Sequence, residues 1–135
     1  MEQSAIFQPM ILQAGLMVLV AFWLVWARVG SVVLGKIDMK DVLKNGYKGW
    51  IKQAGDNFSN QYELPILFFV LCFILFLTNS VTQLAVGLAW FFAVSRIFHA
   101  LIHLSFNNIS IRFLVFFSGA IAVVGLFILA ARSVF

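Results

Sequence analysis

Asn60-Gln61-Tyr62-Glu63-Leu64-Pro65 leads without interruption into Ile66-Leu67-Phe68-Phe69-Val70-Leu71-Cys72-Phe73-Ile74-Leu75-Phe76-Leu77. The second part is apolar at every position, the pattern of a helix with lipid or protein on all sides. The first part sets amides, a carboxylate and a proline at the mouth of that helix. Hydrocarbon neutralises or expels an unpaired carboxylate, so Glu63 needs a partner. The candidates lie further along the chain, in Arg96, His99, His103 and Arg112.

Working outward, the same apolar texture recurs. The chain has 135 residues, of which 63% are hydrophobic and 10% charged. A small soluble domain leaves much of its surface wet and cannot hide this much apolar area. The sequence therefore reads as a single integral membrane domain over residues 1–135, with spans at about 10–34, 60–77, 81–104 and 109–132. Each approaches the roughly 20 residues that cross a 30 Å hydrocarbon core. The expected architecture is all-α: a four-helix membrane bundle running up-down-up-down. Pro65 predicts a helix start or a kink between Gln61 and Pro65, because proline bends a helix except in its first turn. Thr78-Asn79-Ser80 and Ser105-Phe106-Asn107-Asn108 read as turns, and Asp56, Asn57 and Ser59 as candidate caps. Gly15, Ala21, Gly87, Ala93, Gly119, Ala122 and Gly125 let helices approach closely. The first apolar stretch is too long for a cleaved leader and lacks a basic start, so it is expected to stay as a span.

The net charge of +4 is unevenly placed. Lys36, Lys40, Lys44, Lys48 and Lys52 recur every four residues between the first two spans, which puts them on one face of a helix. No aromatic or glycine module accompanies them, so nucleic acid is not an expected partner. A lysine-rich loop between spans belongs in the cytoplasm and touches anionic headgroups. Both termini then lie outside the cytoplasm. Cys72, the single cysteine, can form no internal disulfide and reads as a small buried hydrophobe.

The polar residues of the spans gather toward the loop side. Arg96, His99 and His103 are spaced i, i+3, i+7 and line one stripe. Asn60 and Glu63 share a face of the second span, and an ion pair between Glu63 and Arg96 is expected; breaking one should cost several kcal/mol. Arg28, Asn60, Glu63, His99, His103 and Arg112 all fall toward that side, while Arg132 marks the other. Each has a plain alternative. A buried Arg–Glu pair can be glue, a histidine can simply pack, and Arg112 can snorkel to the interface. Histidines with a carboxylate could hold a metal, but no HExxH-type spacing exists, and no metal site is assigned.

These residues resemble the superfamily of membrane-associated proteins in eicosanoid and glutathione metabolism (MAPEG). Its pattern of Asn-x-x-Glu followed by Pro is matched by Asn60, Glu63 and Pro65. Its Arg-x-x-His is matched by Arg96 and His99, and its fourth-helix Arg by Arg112. Bacterial members carry a similar Asn-Gln-x-Glu-x-Pro stretch, which points to a bacterial inner membrane. The resemblance implies a homotrimer with glutathione between subunits, near the cytoplasmic side. It implies that Arg112 activates the thiol, that Arg28, Asn60, Glu63 and Arg96 help hold the peptide, and that His99 and His103 line the site. A thiol-dependent transferase or peroxidase acting on a lipophilic small molecule is one reading. The other is a non-catalytic membrane lipid-binding or scaffold protein, because the superfamily includes both. Two departures bear on the choice: Asp56 and Ser59 stand where family enzymes carry arginines, and His103 where a tyrosine is common.

Overall fold

The computed structural model describes residues 2–135. It is all-helical, with no strand among the described residues. Four stretches are long and apolar enough to cross a membrane: Gln3–Val33, Gly49–Leu77, Gln83–Leu104 and Ile109–Val134. The chain is thus a multi-pass integral membrane protein built as a four-helix bundle. We label α1 Gln3–Val33, α2 Met39–Asn45, α3 Gly49–Asn60, α4 Leu64–Leu77, α5 Gln83–Leu104 and α6 Ile109–Val134.

α1 begins upstream of Met10 because Pro9 falls in the first turn of its regular part, where a missing amide costs no hydrogen bond. Near its other end the helix widens into a π-turn over Trp26–Gly30, which carries Arg28. α3 and α4 together make the second span, broken at Gln61–Glu63 as Pro65 predicts. Pro65 sits in the first turn of α4. The helix itself starts well before Asn60, at Gly49.

The lysine stripe does not form. Gly46 and Gly49 adopt φ of 76° and 60°, which separates the short α2 from α3. Lys40 and Lys44 lie on α2, Lys48 in the link and Lys52 on α3. The expected caps also fall elsewhere. Asp56, Asn57 and Ser59 lie inside α3, and Asp56 instead pairs with Lys52 at 3.0 Å. The capping acceptors are Asp38, Thr82 and Asn108, each taking a backbone N–H of its own first turn. Asn79 and Asn107 take left-handed φ in the turns, a conformation asparagine tolerates.

At one end, the Val81 amide donates to Gln3 Oε1 at 3.0 Å, and the Thr78 hydroxyl donates to Ser133 Oγ at 3.1 Å. These bonds put the chain start, the α4–α5 turn and the end of α6 together, so successive spans run in opposite directions. α6 packs along α5 and against α4, while α1 packs on α3 and α5. The larger apolar cluster lies in the half nearer those bonds, and a smaller one of Leu24, Ala27, Ile51 and Ala54 joins α1 to α3 toward the other end. Phe68 stacks on Phe92 with centroids 4.5 Å apart, and Leu71, Leu75, Val123 and Leu126 fill in around them. Close approach of α5 and α6 depends on Gly119, where a Cβ would lie 2.7 Å from Ser95 Oγ. The free thiol of Cys72 is buried in the same core.

Candidate functional site

The α3–α4 break creates the site. A helix interrupted at Gln61–Glu63 leaves the Asn60 carbonyl without the amide that would normally follow it. Arg96 supplies the replacement: its Nη2 donates to Asn60 O at 3.0 Å. This is the role that Arg96 plays instead of the expected ion pair. Among the described residues the one ion pair is Lys52–Asp56, so Glu63 and Arg96 do not meet. The reason is geometric. The break turns Glu63 outward, where it is exposed, while Arg96 stays at 1% exposure inside the bundle.

On α5 the buried stripe changes character along one face. Ala85, Ala89 and Phe92 give way to Arg96, His99 and His103 at spacings of three and four, so all six stay inside the bundle. The two imidazoles lie edge to face with centroids 6.1 Å apart. Phe116 of α6 backs the set, 5.9 Å from the His99 ring and under the Arg96 guanidinium. Arg112, one turn inside α6, is half-buried and donates to Asn107 Oδ1 at 2.7 Å. That bond aims the guanidinium across the α5–α6 turn.

A pocket of about 240 Å³ results, walled by Asn60, Glu63, His99, Arg112, Phe113 and Phe116. Of the residues expected from sequence, the pocket gathers Asn60, Glu63, His99 and Arg112, with Arg96 bracing it from inside. His103 lies one turn beyond His99. Arg28 is not brought there: its guanidinium lies 4.5 Å from the Tyr47 ring and against Gly55 of α3. The pocket is small beside typical ligand sites of about 300–1,000 Å³. It opens on its outer side, where Glu63 is exposed.

Other polar residues were not expected. Gln13, Asn57 and Gln61 are fully buried, and Gln13 Nε2 donates to Gln61 Oε1 at 3.1 Å, tying α1 to the break. Gln13 carried a signal: it is the only polar side chain between Met10 and Val25. A separate groove of about 680 Å³ runs between α1 and α5, lined by apolar residues such as Leu16, Leu19, Trp23, Ile97 and Leu101. No charged or amide side chain lines it, whereas the Arg112 pocket offers a cation, an anion, an amide and an aromatic wall.

A guanidinium suits an anionic group and an exposed carboxylate suits a cationic one. A family model described as the MAPEG family matches residues 6–132. No curated protein and no solved structure matches the chain.

Proposed function

The chain belongs to the MAPEG family, and from that premise we propose that it is a thiol-dependent transferase or peroxidase. It takes glutathione at the Arg112 pocket and a lipophilic acceptor from the bilayer, and neighbouring copies in a homotrimer complete the site. One observation carries the reading. Arg112 is held by an amide, Asn107 Oδ1, and by no carboxylate among the described residues. Its positive charge is therefore left for a ligand.

A guanidinium beside a thiol favours the ionised form, and the thiolate is the nucleophile. Asn107 limits the rotation of Arg112, so less freedom is lost when the sulfur arrives. Glu63, exposed at the mouth, meets the ammonium of the tripeptide. Phe113 and Phe116 keep water from the sulfur. Arg28 lies outside the pocket of its own chain, so a neighbour's Arg28 is the candidate cation for a glutathione carboxylate. Both termini face away from the cytoplasm in this reading, and the lysines of the first loop face the anionic inner leaflet.

A second reading, a binding or scaffold protein, has its own support. Lys52 is engaged by Asp56, and Ser59 bonds back to the Gly55 carbonyl at 3.2 Å. The turn before Asn60 thus offers no free cation for a carboxylate.

The test is spectroscopic. Glutathione added to the protein in mild detergent should raise thiolate absorbance near the ultraviolet edge, and Arg112→Ala should abolish the rise. No rise in the unaltered protein, together with no retention on a glutathione resin, favours the scaffold. Trimerisation is read separately, from the mass of the detergent-solubilised protein.

A further inference from the structure

We propose that His99 and His103 form a proton exit from the Arg112 pocket, carrying the thiol proton through the bundle interior to water at Asp56. The proposal rests on the thiol-binding reading above.

His99 walls the pocket that Arg112 faces, and His103 follows one turn nearer the lysine-rich loop on the same buried face. Both rings are 3% exposed, and neither Nδ1 has a protein hydrogen-bond partner. Arg96 Nε and Nη1 beside them are likewise buried and unpartnered. A neighbouring copy cannot reach these atoms, because they are already enclosed by their own chain. Buried polar groups at membrane depth need partners, and small polar molecules that enter a bundle can supply them. The ring centroids stand 6.1 Å apart and no hydrogen bond joins the two imidazoles directly, so transfer between them needs a bridging polar molecule.

The charged and titratable groups around His103 are Arg96 and His99 on α5, Arg112 on α6 and Asp56 on α3. Asp56 lies on the exposed surface of α3, where its carboxylate pairs with Lys52 at 3.0 Å.

The step balances without a redox partner. The S–H bond breaks, the electron pair stays on sulfur beside Arg112, and the proton passes to His99. A proton leaves the far side of the pair through His103 to water at Asp56. Imidazole can do this because it accepts at one nitrogen and donates at the other.

Stopped-flow mixing with glutathione and a pH-indicator dye tests the proposal before any acceptor is added. Two signals are read: thiolate absorbance and proton release. His103→Phe should leave the final thiolate amplitude near the unaltered value and slow both signals together by about tenfold or more. His103→Ala should slow them similarly, and free imidazole should restore the rate. Unslowed signals in both variants overturn the relay. So do slowed signals that imidazole does not restore, because those mark a packing role. No thiolate in the unaltered protein is a different failure: it removes the thiol-binding reading itself, and the relay with it.

Discussion

The half of the bundle around Phe68, Phe92 and Leu126 holds apolar side chains packed on one another, whereas the half around Asn57, Arg96 and His103 holds buried polar atoms with few protein partners. α5 passes through both, and its inward stripe changes at the step from Phe92 to Arg96. In lipid, the hydrophobic effect does little to hold helices together, so contact geometry must do it. The apolar half supplies that geometry. The polar half keeps only the smaller cluster of Leu24, Ala27, Ile51 and Ala54 and gains a place where a charged ligand can sit. The break in the second span divides them, because an interrupted helix frees a carbonyl that attracts a cation inward.

The sharpest way to break this contrast is Phe92→Ala. Loss of a buried ring stacked on Phe68 should cost about 3 kcal/mol or more, read as thermal unfolding in detergent, with thiol affinity of the folded fraction unchanged. A small loss would mean the apolar half does not hold the bundle. Gln13→Leu comes next. It strips Gln61 of its 3.1 Å partner and should cost about 1–3 kcal/mol, with thiol binding weakened because the break shifts. An unchanged melting temperature would show that the carboxamide pair contributes nothing.

Gly119→Ala should cost about 1–3 kcal/mol, since its Cβ meets Ser95 Oγ on a short side chain. Gly125→Ala offers the matched control. Its Cβ meets Leu88 Cδ1 at 2.9 Å, the tip of a side chain that can turn aside, so the loss should be smaller. Equal losses would mean that the approach at Ser95 is not special. The smallest stability change belongs to Glu63→Gln, within about 0.5 kcal/mol, because Glu63 is exposed and holds no ion pair. Retention on a glutathione resin should nevertheless fall clearly. A loss of several kcal/mol would restore the buried Glu63–Arg96 pair.

Much of this was legible from residue order. Apolar runs and their turns give four spans, and Pro65 places the break. The spacing of Arg96, His99 and His103 places them on one inward face, and the motif matches agree with the family. What could not be read was direction at the break. A spacing of three between Asn60 and Glu63 implies a shared face only if the helix continues. It stops at Asn60, so Glu63 turns out and Arg96 meets a backbone carbonyl instead of a carboxylate. The lysine stripe failed for a similar reason, since periodicity across Gly46 and Gly49 assumed a helix that their positive φ interrupts. Depth and the family resemblance both group Arg28 with the site. In its own chain the guanidinium fills the space beside Gly55 and lies against the Tyr47 ring instead. Asn57 sits in a polar stretch where nothing marks it as fully buried.

Amide hydrogen exchange of the protein in lipid, with and without glutathione, bears most directly on the division between a dry half and a polar one. Residues 57–63 and 96–103 should exchange at least severalfold faster than 68–77 and 119–126, and glutathione should slow the first group only. Equal protection in both halves, unmoved by glutathione, would contradict the account.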